Sequence, residues 1–541
     1  MVTDFTAKTK DLIDGLKSTC ASYGLGNDGN ESKIITQVFL YKFMNDKFGY
    51  EIKKIDNKFE KSWEKNLGEL SDADFKKITA KLSPNTARLK KEHLLSNLFN
   101  KQNTQNFSKL FDSTLLDISQ SNSSIFSVST ASSAKIVLFD ELSQFVSDPS
   151  QRDEFCKAIV NQLVNFSFDE IFSQKFDFFS TIFEYLIKDY NKDGGGKYAE
   201  YYTPHAVSKI MAKILVSKQV KNVTVYDPSA GSGTLLMNVA HEIGEKNCSI
   251  YSQDISQKSS GMLRLNLILN DLVHSIPNVI QGNTLREPAH KDGKGLRKFN
   301  FIVSNPPFKL DFSDFRDELD SPENSDRFFA GIPAIPKKDK DKMAIYLLFI
   351  QHIIFSMTED GCAAVVVPTG FLSGKDSISK SIRKYLVDKK LIVGAVSMPS
   401  NIFANTGTQV SVLFLDKAKD KKAAFLIDAS GLGTTVKEGK NQKTLLSDDD
   451  ENKIIDSFKN KTLEEDFSVE VTFDEFSDAG YSFNPGQYFK VKFDIRNITE
   501  AEYGKSTTEL LSKIDINLKQ ITKDHAELNK KLAELKVNKN G

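Results

Sequence analysis

Cysteine and histidine are scarce in this sequence, and neither residue type is clustered. The cysteines, Cys20, Cys156, Cys248 and Cys362, lie far apart and show no C-x-x-C spacing. This argues against a zinc ribbon and against a disulfide framework. The 7 histidines are scattered as well, so we expect no metal site. We interpret the cysteines as reduced thiols in a cytoplasmic protein.

Long apolar runs and a net charge are also missing. No stretch approaches about eighteen apolar residues, the length that crosses a bilayer. The first residues, MVTDFTAKTKDLIDGLKS, lack the apolar core of a signal peptide, so we expect no membrane association. Lys plus Arg and Asp plus Glu both number 72. Any attraction to nucleic acid must therefore come from a local basic surface or from a partner protein.

Residues 1–165 are predicted to form an N-terminal helical domain. With 541 residues, 40% of them hydrophobic, the chain is long enough for several domains. Apolar residues recur at spacings of three and four, the period of a helix. They include Ile34, Ile35, Val38, Phe39, Phe43 and Met44. A stretch rich in Ser, Asn and Gln, Gln102 to Ser133, is expected to be surface loop with short helical pieces.

Residues 166–430 carry a different pattern, in which short β-branched runs alternate with helical ones. Buried strands are predicted for VTVYD, CSIYSQD, FNFIVSN, CAAVVVP, LIVGAVSMP and TQVSVLFLDK. Such alternation predicts an α/β fold with a doubly wound, mostly parallel, Rossmann-like sheet covered by helices on both faces.

The tail divides into a charged extension, residues 431–504, and a terminal helix, residues 505–541. Apolar residues and one histidine are separated alternately by three and four positions along that helix: Leu511, Ile514, Leu518, Ile521, His525, Leu528, Leu532 and Leu535. This spacing is the seam of a coiled coil, which predicts a partner protein. Docking of the helix on its own domain is the alternative.

The segment VYDPSAGSGTLL is the sharpest local signal. A buried strand runs into Asp227, a loop with Gly231 and Gly233 follows, and a helix is predicted near Thr234. Ligands of open α/β sheets bind at such strand ends, beside a helix N-terminus. The loop is therefore a candidate cofactor site, although a tight turn without a ligand is the alternative. Leu236 occupies the position of the third glycine of a dinucleotide fingerprint, so that motif is not matched.

The next two strand-like segments add candidate ligands for a cofactor. CSIYSQD ends in Asp254, whose carboxylate can accept hydrogen bonds from two ribose hydroxyls, as in an adenosine-containing cofactor. The alternative is a helix N-cap, because DISQ at Asp254 to Gln257 has capping-box spacing. The strand-like segment QGNTL places Asn283 where its amide could read an adenine edge.

The segment FNFIVSNPPF indicates chemistry on an amine. An apolar strand ends in Asn305, and Pro306 and Pro307 stiffen the turn and leave carbonyl oxygens free to accept. Hydrogen bonds from the exocyclic amine of adenine to Asn305 and to the Pro306 carbonyl would make its nitrogen more nucleophilic. Phe308 would stack on that base after it is flipped from the duplex. Taken alone, the motif could be a chance turn.

The run from about Phe176 to Ser430 resembles the N6-adenine DNA methyltransferases, specifically the modification subunits of type I restriction systems. KYAEYYTPHAV is similar to the family's G-x-Y-x-T-P-like segment. The resemblance implies S-adenosyl-L-methionine as cofactor. Its methionine end would contact Glu200, Tyr201, Tyr202, Thr203, Pro204 and His205. Its cradle would be Asp227, Ala230, Gly231, Ser232 and Gly233. Asp254 would bind the ribose, although the family often has Glu there.

The resemblance extends over most of the chain, because the helical domain, the segment YSFNPGQYF and the terminal helix also match type I subunits. It implies a catalytic group of Asn305, Pro306, Pro307 and Phe308 acting on N6 of an adenine in double-stranded DNA. The implied partners are a specificity subunit bound through the C-terminal helix, a second modification subunit and a restriction (translocase and nuclease) subunit.

Two other functions are weighed against this one. A protein glutamine N5-methyltransferase uses a related N-P-P motif, but it usually has Tyr where Phe308 stands and needs no large helical domain. A non-catalytic scaffold that clamps DNA is argued against by the intact motif set. The charged stretch from Lys309 to Lys342 is a candidate for contact with DNA, but its lysines interleave with Asp339 and Asp341, which favours a solvated loop.

Overall fold

The computed structural model describes residues 2–26, 29–172, 203–293, 295–403, 409–418, 421–438, 441–489 and 507–537. Contacts divide the chain into two compact units, Met1–Tyr488 and Phe489–Gly541. The first unit contains the sheet and the candidate site. The second contains the terminal helix.

The N-terminal part is mainly helical, as predicted. Its helices are α1 (Val2–Ser22), α2 (Gly29–Ile55), α3 (Trp63–Gly68), α4 (Asp72–Thr79), α5 (Leu95–Lys101), α6 (Phe107–Ser121), α7 (Ser123–Phe126), α8 (Arg152–Val164) and α9 (Asp169–Phe172). The apolar residues predicted to line α2 are buried. Phe39 and Phe43 pack edge-on against Phe168, with ring centroids 5.0 and 5.4 Å away.

The expectation of a surface loop over Gln102 to Ser133 is wrong for most of that stretch. Helix α6 spans 15 of its residues. Phe107, Phe111, Leu115 and Ile118 are fully buried on one face, while Ser113, Gln120 and Ser121 are exposed. The polar composition reflected the solvent face of an amphipathic helix and hid its apolar stripe.

Two short strands follow this helix, β1 (Val128–Thr130) and β2 (Lys135–Ile136). The remaining strands are β3 (Val223–Asp227), β4 (Cys248–Asp254), β5 (Val279–Gln281), β6 (Lys291–Asp292), β7 (Gly295–Leu296), β8 (Phe299–Ser304), β9 (Met357–Pro368), β10 (Ile392–Ser397), β11 (Val410–Asp416), β12 (Ala423–Asp428), β13 (Thr434–Glu438), β14 (Asn441–Leu445) and β15 (Ser468–Thr472).

The helices after α9 are α10 (His205–Leu215), α11 (Thr234–Ile243), α12 (Gln257–Leu269), α13 (Arg316–Leu319), α14 (Tyr346–Ser356), α15 (Ser377–Asp388), α16 (Asp448–Asn460), α17 (Phe473–Asp478) and α18 (Thr507–Val537). Short 3-10 helices lie at Asn57–Phe59, Lys91–His93, Leu142–Phe145, Pro149–Gln151, Glu245–Asn247, Val273–Asn278, Pro322–Asn324, Lys340–Lys342, Thr369–Leu372 and Pro485–Gln487.

Eleven strands form one sheet in the order β15-β12-β10-β11-β9-β8-β3-β4-β5-β1-β2. Six of the ten pairings in this sheet are parallel, which confirms the mostly parallel sheet expected from the sequence. β11 is antiparallel to both β9 and β10. The carboxyl ends of β3, β4, β5, β8, β9, β10 and β12 therefore lie along one edge.

Alternate residues of the central strands enter two separate cores, so both faces of the sheet are covered. Val225, Phe301 and Val303 pack with α10, α11 and α12. Tyr226 and Ile302 pack on the other face with α14 and α15. Strands buried on both faces read as continuous apolar runs, which is why the sequence located them.

The N-terminal part is joined directly to the sheet. β1 pairs with β5, and Ser129 lies opposite Ile280. Arg264 of α12 is buried and donates to the carbonyls of Ile136 and Val137 at 3.1 and 3.0 Å. The guanidinium therefore fastens the β2 end of the N-terminal part to a helix of the sheet.

The terminal helix α18 has 31 residues, as the sequence predicts. Within it, Ile514, Leu518, Ile521 and Leu528 of the predicted seam are 53 to 63% exposed. These side chains form an exposed apolar stripe along the described part of the helix. Among the residues with described positions, we find no helix that combines the length and apolarity needed to cross a bilayer.

Phe111→Ala should destabilise the protein by about 3–5 kcal/mol, because it removes a fully buried ring from the core face of α6. The matched change Ser113→Ala, on the exposed face of the same helix, should alter stability by less than about 0.5 kcal/mol. Urea unfolding followed by circular dichroism measures both. Equal effects would mean that this stretch is not an amphipathic helix.

Candidate active site

The predicted motifs meet at one edge of the sheet, where β3 and β8 end side by side. The two strands are parallel, and Tyr226 lies opposite Ile302. Just beyond this pair, the hydroxyl oxygens of Ser229 and Ser304 are 2.6 Å apart. The glycine loop after β3 and the asparagine-diproline turn after β8 are therefore in direct contact.

The glycine loop requires glycine for two physical reasons. Gly231 and Gly233 have φ angles of 53° and 85°, in the left-handed region that L side chains rarely adopt. A Cβ on Gly233 would also lie 2.2 Å from Cδ1 of Leu263. Helix α11 then begins at Thr234, as predicted, and its first amides are available for a ligand.

Asp227 ends β3 as a buried carboxyl group, with 1% of its surface exposed. Oδ1 accepts the amide N–H of Ser229 at 2.9 Å. Burial, assisted by the charge of Asp254 and opposed by hydrogen bonds from Ser229 and Ser304, raises the pKa of Asp227 to about 8. A cationic group bound nearby would favour the ionised form of this side chain.

Asp254 lies between the glycine loop and helix α12. Oδ2 accepts the amide of Gly231 at 2.9 Å, and Oδ1 accepts the amide of Ser256 at 2.8 Å. Burial raises the pKa of this carboxyl as well. The capping-box alternative for Asp254 is wrong, because Ser256 is the N-cap and its hydroxyl accepts from Ser259.

Asn283 is less well placed for the role predicted for it. The strand expected over QGNTL ends earlier, since β5 covers Val279–Gln281. Oδ1 of Asn283 accepts the amides of Leu285 and Arg286 at 3.1 and 3.2 Å, so this oxygen is used within its own turn. Asn283 remains near Asp254, because the amide of Gly282 donates to the Asp254 carbonyl at 2.8 Å.

A small cleft opens where the loop and the turn meet. Its described lining residues are Thr203, Asp227, Ser229, Ala230, Ser232, Thr234, Leu235 and Asn305. Asn305 is 7% exposed, and its Nδ2 has no hydrogen-bond partner among the residues placed by the structure. A buried amide of this kind is usually completed by a ligand or a water molecule.

The rest of the turn follows Asn305 as the sequence predicts. Pro306 is buried, and Pro307 and Phe308 are half-buried. The Phe308 ring lies 6.2 Å from the ring of Tyr346, at an interplanar angle of 77°. Phe308 is thus held at its edge by a neighbouring aromatic ring.

The segment before the glycine loop is described only in part. Glu200, Tyr201 and Tyr202 lie outside the described residues. Thr203 lines the cleft. The Pro204 carbonyl accepts the amide of Ser208 at 3.0 Å in the first turn of α10, the helix that His205 begins.

Sequence analysis missed the two serines that join the motifs, Ser229 and Ser304. Each serine lies at or just beyond the end of a strand and is adjacent in sequence to a predicted site residue. A hydroxyl side chain at the carboxyl end of each of two adjacent parallel strands is the pattern that would have identified these serines. The two serines meet because β3 and β8 are neighbours in the sheet. A single sequence does not specify this strand order.

The charged stretch from Lys309 to Lys342 is ordered over a small apolar core and is not a simple loop. Phe312, Leu319 and Phe328 belong to that core. The lysines are exposed, and Lys342 pairs with Asp339 at 3.2 Å. In the described part of the chain, no three or more His, Cys, Asp or Glu residues could hold a metal ion together.

A family model described as N-6 DNA Methylase matches residues 174–495, which is more than half of the chain. The protein belongs to the N-6 DNA methylase family. The match includes the glycine loop, Asp254 and the asparagine-diproline turn, so the described lining of the cleft lies within the matched region.

This member of the family is similar to several curated proteins. It is 29% identical over 370 residues to the type I restriction enzyme MpnII methylase subunit of Mycoplasma pneumoniae, a match that covers 67% of this chain and 66% of that protein. It is 26% identical over 374 residues to the MjaIX methylase subunit of Methanocaldococcus jannaschii, covering 66% and 63%. The matches thus span slightly less than two thirds of these relatives' lengths.

Solved structures share the fold of this methylase. A type I restriction-modification methyltransferase subunit from Streptococcus thermophilus superposes with a TM-score of 0.73 at 21% identity, covering 91% of this chain and all of the other. A modification subunit of a type I restriction enzyme from Vibrio vulnificus gives 0.57 at 16% identity, covering 89% and 96%. Both include the helical N-terminal part in the aligned length.

Gly233→Ala should lower stability by about 1–3 kcal/mol, because alanine is strained at this φ and its Cβ meets Leu263. Gly261→Ala is the matched control, since it lies inside helix α12 with open space around it. That change should be neutral or stabilising. Thermal unfolding measures both variants, and a Gly233→Ala protein as stable as the control would contradict this account of the loop.

The free energy of unfolding of Asp227→Asn, relative to that of the wild type, should increase between about pH 5 and pH 8. The folded pKa of Asp227 is raised to about 8, so the folded state holds a proton that the unfolded state has already lost. The wild type therefore loses up to about 1.4 kcal/mol per pH unit in this window, and the variant does not. Denaturant unfolding without cofactor measures the difference, and a constant difference would refute the raised pKa.

Proposed function

We propose that this protein transfers a methyl group from S-adenosyl-L-methionine to N6 of a flipped adenine in double-stranded DNA. It would act as the modification subunit of a type I restriction-modification complex. The observation that carries the proposal is the buried Asn305 amide, which opens into the same cleft as the glycine loop. Family membership and the named relatives support it.

The unsatisfied amide of Asn305 favours a planar substrate with adjacent donor and acceptor groups. The Watson–Crick edge of adenine offers the N6 amine beside the N1 acceptor, which complements an amide oxygen and nitrogen. Cytosine offers a similar pair at N4 and N3. Membership of the N-6 methylase family favours adenine over cytosine.

The acceptor nitrogen would be activated by positioning instead of by a strong base. Its lone pair is delocalised into the ring, so it is a poor nucleophile. Hydrogen bonds from its two hydrogens to the Asn305 oxygen and the Pro306 carbonyl favour a pyramidal nitrogen whose lone pair can attack. Phe308 would stack on the base and hold it in this orientation.

Two features support the fit of the cofactor. They are the carboxyl groups of Asp227 and Asp254 and the glycine loop, in which Gly231 and Gly233 have no side chain to block a ligand. S-adenosyl-L-methionine supplies an electrophilic methyl group on a positively charged sulfur. The Asp254 carboxylate has about four acceptor sites. Two of them accept hydrogen bonds from the Gly231 and Ser256 amides, which leaves two for ribose hydroxyls. The proposed cofactor residues are Glu200, Tyr201, Tyr202, Thr203, Pro204, His205, Asp227, Ala230, Gly231, Ser232, Gly233, Asp254 and, with less support, Asn283.

The proposed assembly contains a specificity subunit, a second copy of this chain and a restriction subunit, in the cytoplasm. Relatives named as type I methylase subunits support this context. The uncovered seam of α18, including Ile514, Leu518 and Ile521, is the proposed binding site for the specificity subunit. With a net charge of zero, the chain would depend on that partner for much of its DNA affinity.

The two alternatives find less support. The described residues that line the cleft include Ala230 and Ser232 of the glycine loop together with Asn305, a combination that a DNA-clamping scaffold would not need. A glutamine methyltransferase would not need the extensive helical N-terminal part that is joined to the sheet through β1 and β5.

Asn305→Ala should reduce methyl transfer by at least about 100-fold, because the acceptor amine loses a hydrogen bond that positions it. The assay is transfer of tritiated methyl groups to DNA by the complex containing the specificity subunit. Cofactor affinity, measured by calorimetry, should stay within about threefold of the wild type, because Asp227 and Asp254 are intact.

Asn460→Ala is the matched control, since Asn460 is an exposed residue at the end of α16. It should transfer methyl groups at the wild-type rate. Unchanged transfer by Asn305→Ala would refute the assigned role, and loss of cofactor binding by that variant would show that it damages the fold of the cleft.

A further inference from the structure

Phe308 belongs to a row of aromatic rings that runs from the cleft into the protein interior. Tyr346 lies edge-on to Phe308, with centroids 6.2 Å apart. Tyr346 also lies edge-on to Phe371, at 6.1 Å and 84°. Edge-to-face contacts are a preferred geometry of aromatic pairs, so each ring restricts the tilt of the next. Phe371 is 1% exposed and forms the buried end of the row.

The buried end is fixed by the guanidinium of Arg383, which is 2% exposed. It donates to the carbonyls of Phe371, Gly374 and Tyr481 at 2.6, 2.5 and 2.8 Å. Its Cζ atom also lies 5.6 Å from the Phe371 ring. A planar group with five donors can hold three carbonyls at once, which a lysine ammonium cannot do with the same geometry.

Through Arg383 the aromatic row is tied to the C-terminal extension. The Phe483 amide donates to the Leu372 carbonyl at 2.8 Å, beside the Arg383 contact to Tyr481. Tyr481 has a φ of 66°, a left-handed conformation that is unusual for a bulky residue. Such a backbone persists only where surrounding contacts determine it.

We propose that Tyr346 and Arg383 are positioning residues for base stacking. Tyr346 holds the ring of Phe308 in the tilt that stacks on a flipped adenine, and Arg383 fixes the row to the segment that contains Tyr481 and Phe483. This inference rests on the proposed function. Neither residue contacts the reacting atoms, so both act through Phe308.

The test compares Tyr346→Leu, which removes the ring but keeps an apolar side chain, with Tyr346→Phe, which keeps the ring. The complete complex is assayed on two duplexes, one with the target adenine paired and one with it opposite an abasic site. An unpaired base flips at lower cost and depends less on the stacking platform. Tyr346→Leu should lose about 3- to 10-fold in kcat/KM on the paired duplex and less than about twofold on the unpaired one.

Tyr346→Phe should behave as the wild type on both duplexes, and calorimetry should give unchanged affinity for S-adenosyl-L-methionine in both variants. Arg383→Lys should show the same dependence on pairing as Tyr346→Leu. Arg264→Lys is its matched control, because Arg264 is another buried arginine that donates to backbone carbonyls, in a different part of the protein. That control should lower stability without any dependence on pairing.

An equal loss on the two duplexes, or no loss, would overturn the inference and leave the proposed function intact. A wild-type complex that transfers no methyl group to either duplex would overturn the proposed function and, with it, this inference.

Discussion

The pairing of β3 with β8 is the constraint on which the candidate site depends. Tyr226 lies opposite Ile302, so the two strands end at the same edge of the sheet, and the Ser229 and Ser304 hydroxyls are 2.6 Å apart. The pairing of the two strands thereby brings together the glycine loop, which is the proposed cofactor site, and the turn that would hold an amine. β4, on the other side of β3, adds Asp254. The sheet thus arranges the proposed cofactor residues on one side of the β3 end and the proposed acceptor residues on the other.

Two buried carboxyl groups determine the electrostatics of this site. Asp227 and Asp254 are both held where burial raises the pKa of the carboxyl group, and each is partly compensated by backbone amides. Groups of this kind are costly to ionise in the empty protein. Hydroxyl donors and a nearby positive charge on a ligand would both relieve this cost, whereas an anionic ligand would increase it. Selectivity for a cationic cofactor would then arise from the buried carboxyl groups.

The central strands and the three main motifs could be predicted from the sequence, because each is a local signal. Val225, Ile302 and their neighbours are buried on both faces and form continuous apolar runs. Other features could not be predicted, because they depend on tertiary context. β15 was missed because Ser468, Glu470 and Thr472 alternate with valines inside a charged region, as suits an edge strand. Ser256, and not Asp254, caps α12 because the Asp254 carboxylate also binds the Gly231 amide in a different loop.

The central claim is that Asn305 and the glycine loop form one pocket for methyl transfer to adenine N6. Methylation-sensitive long-read sequencing of DNA from cells that express this chain with its neighbouring genes tests it most directly, because it identifies both the modified base and its sequence context. The account predicts N6-methyladenine at one recurrent bipartite site, absent when the chain is omitted. Methylation at cytosine N4, or no modified base in cells that contain the assembled complex, would contradict it.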